Sequence, residues 1–199
     1  MRINGETVIY FTSDNHFWHA NVIKYCNRPF KDVQEMNEMM IKNWNDVVTP
    51  DDTVYCLGDF SLAARPVEDY TRRLNGTKYL VPGNHDFCHS YHKKSRSEEG
   101  RKRWIAKYEE WGWIVLPEQT TLDIPGVATV NLCHHPYRLV DPGDDKYIKW
   151  RPKDDGRWLL CGHVHEKWKI VDKQINIGVD QWDFKPVSIE EISKIICQP

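Results

Sequence analysis

The sequence has no run of about 18 consecutive apolar residues, the length a helix needs to span a bilayer, so no membrane-crossing segment is expected. Its first residues, Met1-Arg2-Ile3-Asn4-Gly5-Glu6, contain no basic stretch leading into a long apolar segment and do not read as an export signal. Neither sign of charge is in excess. Lys and Arg number 27 against 29 Asp and Glu, a net charge of -2, which offers no global field to draw in nucleic acid or an anionic membrane. Any polyanion must be met locally. No CxxC pair occurs among the 6 cysteines, and Cys56, Cys133 and Cys161 sit inside apolar runs, where a reduced cysteine behaves as a small buried hydrophobe. A disulfide framework is therefore not expected, and a reducing cytoplasm is the expected compartment. Internal repeats and low-complexity linkers are also missing. What remains is a 199-residue chain, 40% hydrophobic and 28% charged, read as one globular domain over residues 1–199, with 9 His and 9 Trp as its unusual entries.

Short apolar runs recur, and each stops at a polar residue able to bind metal. Val8-Ile9-Tyr10-Phe11-Thr12-Ser13 runs into Asp14, Thr53-Val54-Tyr55-Cys56-Leu57 into Gly58-Asp59, and Lys78-Tyr79-Leu80-Val81 into Pro82-Gly83-Asn84-His85-Asp86. Two more end at His134 and at Gly162-His163. Runs of this length, β-branched or aromatic and bounded by Gly or Pro, predict buried strands. In sheets covered by helices, ligands collect beyond the carboxyl ends of strands, so five such strands would converge on one site. Between the first two, Asp32 and Glu35 form a capping box ahead of Met36, Met39, Met40, Trp44, Val47 and Val48 at helical spacing, a stripe that predicts core packing. A second helix is expected over residues 66–74, stopped by Asn75-Gly76. Beyond residue 110 the pattern reads as strands over 120–124, 127–133, 158–161, 167–171 and 174–177, with a tight hairpin at Asp172-Lys173 and a closing helix over 188–196. The expected fold is α/β (α+β), a four-layer α-β-β-α sandwich of two mixed β-sheets flanked by helices.

In chain order the candidate metal ligands are Asp14-x-His16, Gly58-Asp59, Gly83-Asn84-His85-Asp86, His134 and Gly162-His163-x-His165. Imidazole, carboxylate and amide oxygen suit Mn, Fe, Zn, Co or Ni better than soft thiolate chemistry does. The ligands are too many for one ion. Two divalent ions roughly 3.5–4 Å apart, bridged by one carboxylate, would use seven of them and leave positions for water and substrate. Glycine ahead of Asp59, Asn84 and His163 would permit tight turns where these side chains enter the crevice. A structural zinc site would close four ligands around one ion, commonly with thiolates, and no cysteine lies in this set.

Taken together and in this order, these motifs, spread over residues 14 to 165, resemble the full signature of the calcineurin-like metallophosphoesterases. The residues from Phe11 to Ile23, with Asn176-Ile177-Gly178-Val179-Asp180, are further similar to small phosphoesterases of bacteria and phages. The resemblance implies that Asp14, His16 and His165 bind one ion, that Asn84, His134 and His163 bind the other, and that Asp59 bridges. It implies two divalent cofactor ions, manganese favoured, and His85 as the catalytic histidine. His85 would donate a proton to the leaving alkoxide or stabilise its charge, with Asp86 orienting the imidazole. The implied reaction is hydrolysis of a phosphate mono- or diester by direct attack of hydroxide generated at the ions, without a covalent phospho-enzyme.

Other residues are candidates for substrate contact. His19 would approach the phosphate or leaving group if a helix begins after it, a solvated loop histidine being the alternative. Arg28 and Arg138 are candidate phosphate clamps, since a guanidinium fork fits two phosphate oxygens, or else surface arginines. His134 and His135 are adjacent and should face opposite sides of an extended segment; the preceding strand favours His134, and a one-residue slip would exchange them. The basic stretch from His89 to Lys107 reads either as a solvated helix face or as a mobile lid meeting a nucleotide or nucleic-acid strand. The loop over 140–155, with Tyr147 and Trp150, is expected to wall the crevice. Two alternatives to a general phosphoesterase follow: a nuclease or nucleic-acid end-processing phosphatase, and a non-catalytic metal-binding scaffold.

Overall fold

The computed structural model of the chain describes residues 7–139 and 146–198; residues 140–145 of the expected wall loop lie outside the described residues. Its first sheet is built from β1 (Ile9–Thr12), β2 (Thr53–Cys56), β3 (Thr77–Leu80), β4 (Trp113–Val115) and β10 (Val187–Ser188), in the order β10-β1-β2-β3-β4. The first four strands run parallel and β10 joins β1 antiparallel. The second sheet holds β5 (Gln119–Ile124), β6 (Ala128–Cys133), β7 (Leu159–Cys161), β8 (Ile170–Val171) and β9 (Gln174–Asn176), in the order β5-β6-β7-β9-β8. Here β6, β7 and β9 are parallel and the outer pairs antiparallel. Two mixed sheets are thus present, as the hydrophobic runs predict.

Alternation along the strands divides the core. Tyr10, Val54, Cys56 and Leu80 face one way and pack with Val22 of α1 (Ala20–Tyr25) and with Met36, Met40 and Trp44 of α2 (Val33–Val47). Val67 of α3 (Ala64–Thr71) and Trp104 and Tyr108 of α4 (Glu98–Glu110) complete this helical layer. Phe11, Leu57 and Val81 face the other way and meet Val130, Leu132, Leu160 and Ile175 of the second sheet, together with Ile192 of α5 (Ile189–Ile196). On its far side the second sheet carries a smaller cluster, Cys133, Leu159 and Cys161, under Tyr137 and Trp168.

Local signals account for most boundaries. Asp32 accepts from Glu35 N at 2.8 Å while the Glu35 carboxylate accepts from Lys31 N at 2.7 Å, a reciprocal cap that starts α2. Met39, expected in the core stripe, turns outward and is 41% exposed. α3 begins at Ala64, two residues before Pro66, because a proline in the first turn forfeits no intrahelical bond. The basic stretch after the third strand forms a short turn and then α4, capped by Ser97. Several of its charges are engaged: Lys102 with Glu98, Arg101 with Glu118, and Lys94 and Lys107 over the Trp104 ring. A regular helix stands where a mobile lid was one of the expectations. Among the described residues no helix is long and apolar enough to cross a membrane.

Candidate metal centre

Strands β1, β2 and β3 deliver Asp14, Asp59 and Asn84 beyond their carboxyl ends, and β6 and β7 deliver His134 and His163 from the second sheet. The Asp59 carboxylate lies in the middle. Its Oδ2 is 3.4 Å from His134 Nε2 and 3.6 Å from His16 Nε2, and its Oδ1 accepts from the His85 backbone N–H at 2.8 Å. One oxygen is thus held by the chain and the other is turned into the cluster. On one flank Asp14 Oδ1 is 4.0 Å from His16 Nε2 and 3.9 Å from His165 Nε2. On the opposite flank the His134 and His163 rings lie 5.2 Å apart.

Whether this donor set fits divalent ions can be tested on its own atoms. Buried polar atoms normally find a partner, because leaving one unpaired costs about 1–3 kcal/mol. His16 Nε2, Asn84 Oδ1 and His134 Nε2 are buried and lack any hydrogen-bond partner. All three belong to the candidate ligands. Asp14, His16 and His165 offer donor atoms within 4.8 Å of one another, as do Asp14, Asp59 and His134. The residues present fit divalent metal.

The backbone is bent to reach this arrangement. Asp14, His16, Asp59, His163 and His165 all have φ between 49° and 71°, a region costing roughly 1–3 kcal/mol for a residue with a side chain. Glycine serves two different purposes beside them. Gly58 needs its φ of +86°, and a Cβ there would lie 2.1 Å from Gly83 N. Gly83 and Gly162 have ordinary φ and are required by close approach, not by turn geometry. A Cβ on Gly162 would stand 2.1 Å from Ser13 Oγ and 2.4 Å from Asp14 Oδ2. Gly162→Ala is therefore expected to displace the Asp14 carboxylate and weaken divalent-ion binding roughly 10–100-fold, read by calorimetric titration. Parent-like affinity would show that the contact is not needed.

The electrostatics follow from crowding imidazoles and carboxylates away from water. Burial opposes charge on His134, yet Asp59 and Asp14 outweigh it and push its pKa up to about 9. His165 is likewise disfavoured by burial but carried up to about 11 by Asp14 and a hydrogen bond to Asp180. Burial, with His134 adding to it, pushes His163 down to about 3. Asp59 is held well below the usual carboxylate range: burial works against this, and His134, His85 and His16 prevail.

This chain belongs to the calcineurin-like phosphoesterase family. The family profile matches residues 7–167. An uncharacterised protein of Methanocaldococcus jannaschii is 34% identical over 198 residues, spanning 94% of this chain and 90% of that protein. The gene 66 protein of Mycobacterium phage L5 is 30% identical over 204 residues, spanning 94% and 93%. Among solved structures, a protein of unknown function from Aquifex aeolicus superposes with a TM-score of 0.69 at 28% identity, covering 96% of this chain and all of the other.

In this chain six of the seven candidate ligands come together, with Asn84 Oδ1 buried and unpartnered on the loop after β3, and His85 stands beside them with its side chain 41% exposed and Nε2 3.9 Å from Asp59 Oδ2. His19 also reaches the crevice, because α1 does begin after it. Its Nδ1 is 3.2 Å from His16 Nδ1. Were His16 Nε2 to hold a cation, His16 Nδ1 would carry the hydrogen and donate to His19 Nδ1. The His19 hydrogen would then sit on Nε2. Burial, helped by His85, pushes His19 down to about 4, which keeps it a neutral donor.

Four expectations are corrected. Asp86 does not touch His85: its carboxylate accepts from Gly83 N and Asp59 N, both at 2.8 Å, and from Phe60 N at 3.2 Å, tying the loops after β2 and β3 together. Burial and the neighbouring Asp59 push it up to about 7. Arg28 is no phosphate clamp, since its side chain is wholly buried and engaged by Asp180 and by the carbonyls of Asp14 and Asn15. Arg138 pairs with exposed Asp172 in a separate hollow also lined by Tyr137 and Lys173. His135, expected to face away, is fully buried with its ring 4.7 Å from that of His163 and both nitrogens unpartnered. The strand ends at Cys133, so strict alternation no longer applies there.

Proposed function

We propose that this chain is a two-cation phosphoesterase that hydrolyses a small phosphate mono- or diester by direct displacement, without a covalent phospho-enzyme. The observation that carries the reading is the set of three partnerless buried atoms, His16 Nε2, Asn84 Oδ1 and His134 Nε2, the two imidazole nitrogens lying within 3.6 Å of Asp59 Oδ2. When bound, two divalent cations, manganese being our choice, neutralise phosphate oxygens and lower the pKa of water. Asp14, His16 and His165 would hold one, Asn84, His134 and His163 the other, and Asp59 both. His85, reachable from solvent, gives a proton to the departing oxygen, and His19 Nε2–H donates to the ester.

A cavity of about 470 Å³ opens on this cluster, with His16, His19, His85, His163 and His165 against apolar Val22, Tyr25 and Leu62. A pocket of this size, in which Glu166 and Lys167 join the imidazoles and the apolar side chains, suits a compact organic leaving group. The engaged charges of α4 give less support to a strand-guiding surface. The test is a panel of monoesters, diesters, nucleotides and oligonucleotides with Mn, Fe, Zn, Co, Ni and Mg, alongside metal analysis. Turnover of small esters that needs a divalent ion is expected. Preference for oligonucleotides with steep salt dependence would transfer the reading to a nuclease. A metal-loaded protein inert on the whole panel would transfer it to a scaffold.

A further inference from the structure

Two segments remain without a part in the chemistry above: Asn27-Arg28-Pro29, just after α1, and Asn176-Ile177-Gly178-Val179-Asp180, which begins at the last residue of β9. They meet at one buried ion pair. Arg28 Nε donates to Asp180 Oδ1 at 2.7 Å and Nη2 to Oδ2 at 2.9 Å, a two-pronged contact across 152 residues of chain. The same guanidinium reaches the strand that carries the first ligands, Nη2 donating to Asp14 O at 2.7 Å and Nη1 to Asn15 O at 3.1 Å. From the other side, Asp180 Oδ2 lies 3.0 Å from His165 Nδ1. The side chains of Arg28 and Asp180 are 0% and 2% exposed.

We infer that Arg28 and Asp180 are positioning residues for one of the two cations, a relay that runs from guanidinium to carboxylate to the His165 imidazole and fixes which nitrogen of that ring faces the ion. The inference rests on the two-cation reading. A histidine that binds metal through one nitrogen must be held by the other, and a carboxylate on that second nitrogen fixes both the tautomer and the ring plane. Asp180 does this for His165, leaving Nε2 turned toward Asp14. The carboxylate is itself held in a fork that lysine cannot reproduce. Because the guanidinium also grips the Asp14 and Asn15 carbonyls, it sets the spacing between the Asp14 and His165 arms of one site. Nothing in it touches Asn84, His134 or His163. Cys26 stands close enough to His165 and Asp180 to suggest a separate thiolate site, but both Asp180 oxygens are already bonded to Arg28.

The prediction is an asymmetric loss. Metal-free parent, Asp180→Asn, Arg28→Lys and a core control, Ile192→Ala, are each titrated with Co²⁺ by calorimetry and by visible absorption, and their thermal melts are recorded without metal. The parent should take up two ions. Asp180→Asn should keep one affinity and lose 10–100-fold at the other, with a changed absorption envelope for that ion only, and Arg28→Lys should move the same ion in the same direction. Ile192→Ala should melt lower yet keep both affinities. Parent-like binding by Asp180→Asn and Arg28→Lys would overturn the relay, as would equal weakening of both ions in them. A parent that binds no ion would instead overturn the metal centre itself.

Discussion

Asp59→Asn is expected to leave the protein folded but stripped of its ions. The carboxylate stands between the two groups of ligands, Oδ2 within 3.6 Å of both His16 Nε2 and His134 Nε2, with Oδ1 fixed by the His85 N–H. An amide of the same shape retains the backbone contact but brings no charge to offset two cations. Removing one member of a buried, charge-paired group costs about 3–5 kcal/mol, which corresponds to a loss of roughly two to four orders of magnitude in affinity. Metal analysis after gel filtration should find the parent carrying two equivalents and the variant well below one, with turnover falling in step. Two equivalents and parental rates in the variant would remove Asp59 from the centre.

His85→Ala should separate binding from chemistry. The His85 ring is the solvent-reachable member of the group, and its backbone, not its side chain, supports Asp59. Both ions should therefore remain. Loss of a general acid costs typically about 10²–10⁴-fold in rate, and the loss depends on how badly the leaving oxygen needs a proton. Alkyl phosphoesters, whose alkoxides are strongly basic, should suffer the full reduction in kcat. A p-nitrophenyl ester, whose leaving group departs readily as the anion, should suffer much less. An equal reduction on both substrates would place the role of His85 in binding and not in proton transfer.

The parts of this molecule legible in its sequence are those whose physics is local. A buried parallel strand must be apolar throughout and must end where water begins, so Val54 to Leu57 followed by Gly58-Asp59 announces both strand and ligand. The reciprocal cap at Asp32 and Glu35 spans four residues and is equally plain. α4 is obscured because only Trp104 and Tyr108 of its 13 residues are buried, too sparse a stripe to stand out among charges. β10 has two residues and no pattern to read. The errors at the site share one cause. Local pattern pairs Asp86 with its neighbour His85, whereas its actual partners include Asp59 N and Phe60 N, more than 25 positions away. The charge of Arg28 points to substrate in the sequence because Asp180, 152 positions later, cannot be identified as its partner from local pattern.

The division of ligands between the sheets reaches beyond chemistry. Asp14, His16, Asp59 and Asn84 hang from the first sheet, while His134, His163 and His165 hang from the second. Any cation seated among them is a rivet through the sandwich, adding to the apolar contact of Phe11, Leu57 and Val81 with Val130, Leu132 and Leu160 and to crossing hydrogen bonds such as that from His163 N to Asp14. Occupancy then becomes part of the folding equilibrium, and the resistance of the protein to unfolding rises with the logarithm of free metal once the sites begin to fill. Starved of metal, such a chain would lose its catalyst and slacken along the seam between its sheets in the same event.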